Sequence, residues 1–203
     1  MAALILAASL ALGLQGNAPL APNRLASVHM MAKSKVAPMF NAPAALKGYV
    51  GEEDGFDPLA LSDIFDMKWL REAEIKHGRI CMLAFVGFIF PDAVFKLPGH
   101  DYSSVAAHDL NLGPYGGAMG QILLFIGLVE VLMSVPAINY TMNGGDREPG
   151  DYAFDPLGFL DDATPEEKEV MQLKELKNGR LAMLGFSGVV TQAALGHPDF
   201  PYV

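Results

Sequence analysis

The sequence has one cysteine, Cys81, among its 203 residues. An internal disulfide is therefore impossible, and no Cys/His spacing suited to zinc is present. Cys81 falls on an apolar helix face, where a packed thiol is expected rather than a nucleophile. Cations are scarce as well. Lys and Arg number 14 against 23 Asp and Glu, for a net charge of -9. Without clustered cations to contact phosphates, a nucleic-acid partner is not expected. No acid occurs before Glu52. Nucleophile–base–acid arrangements and Gly-rich phosphate loops are missing too, so no enzyme is expected. Finally, Ile122 to Val135 has no solvated face, because its polar members are Glu130 and Ser134 alone.

Apolar residues make up 51% and the mean hydropathy is +0.26, the balance of a membrane protein. Ala2 to Leu14 is an apolar run too short to span a bilayer comfortably. Arg24, Lys33 and Lys35 then give a basic, acid-free stretch. This pattern predicts a targeting leader over residues 1–37 and a single helical domain over 38–203. An ordinary N-terminal arm is the alternative.

Two segments are near copies. Glu74-Ile75-Lys76-His77-Gly78-Arg79-Ile80-Cys81-Met82-Leu83 returns as Glu175-Leu176-Lys177-Asn178-Gly179-Arg180-Leu181-Ala182-Met183-Leu184, at an offset of 101 residues. Gly55-Phe56-Asp57-Pro58-Leu59 returns as Ala153-Phe154-Asp155-Pro156-Leu157, at an offset of 98. Each Phe-Asp-Pro-Leu element suits a surface turn leading into a helix. Two copies at similar distances from two matching helices indicate a duplication.

The apolar runs and breakers predict three helices, at about 63–90, 117–135 and 165–195. Pro91 and Pro136 stand as stops for the first two. Thr164-Pro165-Glu166-Glu167 opens the third as cap, first-turn proline and dipole-matched acids. Three membrane spans are expected; a soluble bundle of amphipathic helices would need the polar face that the middle helix lacks.

Within one helix Arg79 sits roughly 140° around the axis from Glu74, so the two do not pair. Crossed helices would let Glu74 meet Arg180 and Glu175 meet Arg79, related by a pseudo-two-fold. Gly78 and Gly179 would allow a close crossing. Buried ions lose several kcal/mol of hydration each, which suggests that the leftover carboxylate oxygens have work of their own. A hard cation held in an organic ring would suit them. His77 and Asn178, equivalent in the repeat, can each offer magnesium a lone pair without adding charge. Gln192 lies about 21 Å beyond Asn178 along the helix, roughly 40° off the same face. Its counterpart, Pro91, has no donor. Glu130 is a ligand candidate because an intramembrane carboxylate is functional by default; Gln121 is a further one.

Together these residues resemble the light-harvesting chlorophyll-binding antenna family of chloroplasts. The carriers are Glu74-x-x-His77-Gly78-Arg79, Glu175-x-x-Asn178-Gly179-Arg180-Leu181-Ala182-Met183, Glu130 and the two Phe-Asp-Pro-Leu elements, covering residues 52–196. The resemblance implies an all-α thylakoid membrane protein of three transmembrane helices, the first and third crossed as a pseudo-two-fold pair. It implies chlorophyll magnesium bound by Glu74, His77, Glu130, Glu175, Asn178 and Gln192. Carotenoids would lie near the turns at Phe56, Asp57, Pro58 and at Phe154, Asp155, Pro156. The implied function is absorbing light and passing excitation to a photosystem core, with photosystem I favoured, beside membrane lipids and neighbouring antenna subunits.

Green-plant antennas usually add a C-terminal amphipathic helix with another histidine ligand. This sequence ends at Val203, eleven residues after Gln192. It is closer in that respect to the chlorophyll a/c antennas of algae, which implies chlorophyll a, chlorophyll c and a fucoxanthin- or peridinin-like xanthophyll. His100, His108 and His197 are expected to be loop histidines, and His29 part of the leader. A photoprotective member that dissipates excitation shares the same ligands. A proton-conducting transporter would need more ionisable residues along one path. A purely structural bundle would leave His77, Asn178 and Gln192 unexplained.

Overall fold

The computed structural model describes residues 33–93, 117–160 and 162–196. Residues 1–32 of the expected leader and residues 94–116, with His29, His100, His108 and His197, lie outside the described residues. The described part is helical, apart from an isolated bridge between Lys33 and Asn41.

Helix α1 is one turn, Leu61–Ile64, and α2 runs Met67–Ala93. Asp66 starts α2, its Oδ1 accepting from Lys68 N at 2.7 Å, the pairing expected of an N-cap aspartate. Helix α3 (Gly117–Val129) passes through a π-helical stretch, Glu130–Ser134, into α4 (Val135–Met142). Helix α5 spans Pro165–Ala194. Its capping box is complete: Glu167 N donates to Thr164 Oγ1 at 3.3 Å, and Thr164 N to Glu167 Oε2 at 2.9 Å. Gly196, at φ +103°, follows its end, as glycine commonly does in the left-handed region.

Two helices run past the stops expected of them. Helix α2 continues through Pro91 to Ala93, because a proline in the final turn removes one hydrogen bond without barring the next residues. The middle helix continues through Pro136 to Met142. In α geometry the Pro136 ring would press on the carbonyl of Leu132. The preceding π turn changes that spacing, and Pro136 sits where α4 needs no N–H.

Helices α2 and α5 cross at glycine. A Cβ on Gly78 would lie 3.0 Å from Gly179 Cα, and one on Gly179 would lie 3.0 Å from Gly78 Cα. Beyond the crossing, the Phe88 and Phe186 rings meet edge to face with centroids 6.2 Å apart. Among the described residues, the buried apolar side chains are Phe88 and Leu176 alone. Large apolar side chains cover the outside instead, with Leu123, Leu124, Phe125 and Leu132 forming part of the middle helix's exposed surface. Among the described residues, Gly120–Met142 is the one helix long and apolar enough to cross a membrane on length and composition. Helices α2 and α5, of 27 and 30 residues, have the length but carry the repeated charges.

Candidate functional site

The crossing brings the repeated charges together reciprocally. Arg79 Nε donates to Glu175 Oε1 at 2.6 Å, and Arg180 Nε donates to Glu74 Oε1 at 2.8 Å. Each guanidinium also ties down a loop. Arg180 Nη1 donates to Asp54 Oδ2 at 3.0 Å, and Arg79 Nη1 to the Gly150 carbonyl at 2.7 Å. Both loops lead into a Phe-Asp-Pro-Leu turn. Arg's planar fork makes such divided service possible; a lysine ammonium has no equivalent geometry.

The two glutamates differ. Glu74 Oε2 accepts from Arg71 Nη1 at 2.8 Å. Glu175 Oε2 has no side-chain partner among the described residues and stays open. Carboxylate oxygens hold more lone pairs than these donors use, so both can still accept.

His77 and Asn178 are exposed and anchored alike. His77 Nδ1 lies 2.7 Å from the Ala73 carbonyl, and Asn178 Nδ2 donates to the Lys174 carbonyl at 2.9 Å. A carbonyl only accepts, so His77 carries its proton on Nδ1 and leaves the Nε2 lone pair outward. The same bond leaves Asn178 Oδ1 outward. Gln121 and Gln192 are also exposed, and the structure brings neither to the crossing.

Glu130 begins the π stretch and is half-exposed. It is not alone: Lys76 Nζ of α2 pairs with its Oε2. Sequence reasoning missed this cation because it lies 54 positions away.

A second cluster also went unread. Glu72, 3% exposed, accepts from Arg147 Nη1 and Nη2 at 3.1 and 3.0 Å, Gly150 N at 2.6 Å and Tyr152 OH at 2.5 Å. Its hydrogen bonds with Glu72 push the Arg147 pKa up against the opposing pull of burial. Gly150 is therefore held at both ends, by Glu72 at N–H and Arg79 at C=O. A signal existed in the repeat: Arg71-Glu72 corresponds to Gln172-Leu173, so the first copy holds charges that the second lacks.

The two Phe-Asp-Pro turns share their geometry. Asp57 Oδ2 accepts from Ser62 N at 2.9 Å, and Asp155 Oδ2 from Leu160 N at 2.8 Å. Burial acts to raise the Asp57 pKa, but the Ser62 and Leu61 donors prevail and hold it below the ordinary range. Backbone N–H donors, Leu160 foremost, lower that of Asp155. Phe56, Phe154, Pro58 and Pro156 are exposed. Beside the first turn lies a 440 Å³ cavity, with Phe56, Leu61, Met67 and Leu70 as apolar wall and Glu74 and Arg180 at a charged end. Beside the second lies one of 470 Å³, between Leu132, Met133 and Ala137 of the middle helix and Arg147, Tyr152 and Ala153.

The model of the family described as chlorophyll A-B binding protein matches residues 42–194. The chain belongs to that family. Light-harvesting complex stress-related protein 3.2 of Chlamydomonas reinhardtii is 36% identical over 164 residues, 75% of this chain and 62% of the relative. Stress-related protein 1 of the same alga is 34% identical over 178 residues, 80% and 66% respectively. Fucoxanthin-chlorophyll a-c binding protein A of Phaeodactylum tricornutum is 34% identical over 159 residues, 72% and 77%. The chain thus spans a little under two thirds of the stress-related relatives' length.

The donor set suits the pigment of the chlorophyll A-B binding family. Magnesium in a flat macrocycle needs one axial lone pair beside a surface on which the ring can lie. His77 Nε2, Asn178 Oδ1 and Glu175 Oε2 offer such pairs, with exposed Ile80, Leu181 and Leu184 near them in sequence.

Proposed function

We propose that this protein is a light-harvesting antenna of the chloroplast thylakoid membrane, absorbing light on bound chlorophyll and carotenoid and passing excitation to a photosystem, with photosystem I favoured. The observation that carries the reading is the combination, among the described residues, of very few buried apolar side chains with outward lone pairs beside exposed apolar surface. A chain so built needs large apolar partners that also require axial donors.

In this reading α2, the middle helix and α5 each cross the membrane, and α2 and α5 form a pseudo-two-fold pair. The charges of the pair lie inside, where each Arg neutralises a Glu of the other helix, leaving two sites without net charge. Chlorophyll, when bound, supplies the absorption and the excited state. The chain supplies position: Glu74, His77, Glu130, Glu175, Asn178 and Gln192 as axial donors, with Gln121 as a further candidate. The bonds from His77 and Asn178 to carbonyls four residues back fix the direction of their lone pairs. The cavities beside Phe56-Asp57-Pro58 and Phe154-Asp155-Pro156 take the ends of carotenoids, apolar walls against the polyene and charged ends toward a ring hydroxyl. The pigments are chlorophyll a, chlorophyll c and a fucoxanthin- or peridinin-like xanthophyll, as the relative named for fucoxanthin and chlorophyll a-c supports. Neighbouring antenna subunits, a photosystem core and thylakoid lipids complete the surroundings. No bond is made or broken by the chain.

Residues 1–37 include the targeting leader. Ser34 is buried and its Oγ donates to the Asp54 carbonyl at 2.8 Å, which favours a cut upstream of Ser34. The N-terminal sequence of the mature protein decides this.

The test is pigment extraction, absorption and fluorescence excitation of the protein purified from thylakoids. Several chlorophylls per chain, with carotenoid absorption feeding chlorophyll emission, support the antenna. No bound chlorophyll overturns it. A second reading, dissipation of excess excitation, is favoured by the stress-related relatives; strong pigment binding with a much shortened emission lifetime selects it.

A further inference from the structure

We propose that Lys76 is the positioning residue for Glu130: a counter-ion reaching from α2 that makes the middle helix's carboxylate a site without net charge, able to hold a chlorophyll. The proposal rests on the reading of Glu130 as an axial donor.

The repeat shows that Lys76 is put to special use. Its counterpart, Lys177, is exposed and makes no ion pair among the described residues. Lys76 instead is largely covered, with its side chain 24% exposed. Its Nζ pairs with Glu130 Oε2 and lies 5.6 Å from the centre of the Tyr152 ring. Tyr152 is in turn held by Glu72. The ammonium is thus fixed from two sides, by a carboxylate and an aromatic face.

Glu130 needs such a partner. Each arginine near the crossing is committed: Arg71 to Glu74, Arg180 to Glu74 and Asp54, Arg79 to Glu175, Arg147 to Glu72. Among the described residues, Lys76 is the one cation paired with Glu130. A lone carboxylate in a low-dielectric surround is costly. Pairing offsets that cost and also fixes the direction of a flexible side chain. It takes one oxygen and leaves Oε1 without a side-chain partner among the described residues, on a side chain that is 42% exposed. The first residue of the π stretch is thereby held toward α2, while its second oxygen is free for an axial contact.

The experiment uses the full chain assembled with chlorophylls and carotenoid, read by pigments per chain and by the difference absorption spectrum against the unmodified protein. Glu130→Leu defines the band of the Glu130 pigment. Lys76→Met is expected to lose the same band and about one chlorophyll per chain, with the other pigments kept. Lys76→Arg is expected to keep the pigment. Lys76→Met combined with Glu130→Gln removes both charges, leaves a neutral amide oxygen, and is expected to recover it. If Lys76→Met does not assemble, this double variant still decides. Recovery supports the counter-ion role, and continued loss overturns it, showing Lys76 to be a mechanical tie. Full pigment in Lys76→Met alongside loss in Glu130→Leu overturns this proposal alone. Full pigment in Glu130→Leu removes Glu130 from the ligand set and the proposal with it.

Discussion

Gly78 and Gly179 decide how near α2 and α5 come. A methyl group on either would stand 3.0 Å from the opposing Cα, which is backbone and cannot swing aside. Gly78→Ala is expected to force the pair apart at about 1–3 kcal/mol, the usual range for overpacking. Thermal loss of visible circular dichroism is the measure. Gly87→Ala, where a Cβ meets nothing within 4 Å, serves as the control and is expected to hold or raise the melting temperature, since alanine favours a helix over glycine by about 1 kcal/mol. The Asp57 turn makes a pH prediction. Its folded pKa is depressed, so its contribution is complete above the unfolded value, about 3.9, and is lost as pH falls through the lower folded value. Melting temperature should therefore drop as pH falls below about 4, and less steeply in Asp57→Asn.

At the scale of elements, the sequence announces α5 most clearly, because capping is local. Thr164 and Glu167 are three residues apart and meet as their types require. Thr164→Ala is expected to cost about 1 kcal/mol, read as a lower melting temperature of the pigmented protein. The Glu74–Arg180 and Glu175–Arg79 pairs were equally legible, since the repeat let one helix predict the other's partner. The continuation through Pro136 was not. A proline's effect depends on the geometry of the turn before it, and the π stretch at Glu130–Ser134 leaves no mark in composition. Lys76–Glu130 and the Glu72 cluster escaped for another reason: their partners lie 54 to 80 positions apart, and no spacing rule reaches that far. Only the mismatch of Arg71-Glu72 with Gln172-Leu173 hinted that one side of the pair is built to hold a neighbour.

For the whole molecule, burial is the governing fact. A fully buried large apolar side chain contributes about 1.5–3 kcal/mol, and fixing one residue's backbone costs about 1–2 kcal/mol. Among the described residues Phe88 and Leu176 are the buried apolar side chains, and these two alone cannot offset the ordering of three long helices. Detergent or lipid satisfies apolar surface without fixing how helices sit. In the antenna reading, pigments do so. The pigment-free chain in detergent is expected to show helical far-ultraviolet dichroism, but rapid cleavage by protease at the 143–160 connection. Adding chlorophyll and carotenoid should slow that cleavage at least tenfold, and equal protection without pigment would count against the reading.

The thin interior has a consequence for the cell. In the antenna reading, a chain whose helices are set in place by its cargo cannot persist as an empty stock. Copies made when pigment is short stay open to proteases, and copies made when pigment is plentiful survive. Protein abundance then follows pigment synthesis with no dedicated sensor, and free chlorophyll, a source of photochemical damage, finds a waiting scaffold only while that scaffold is still young.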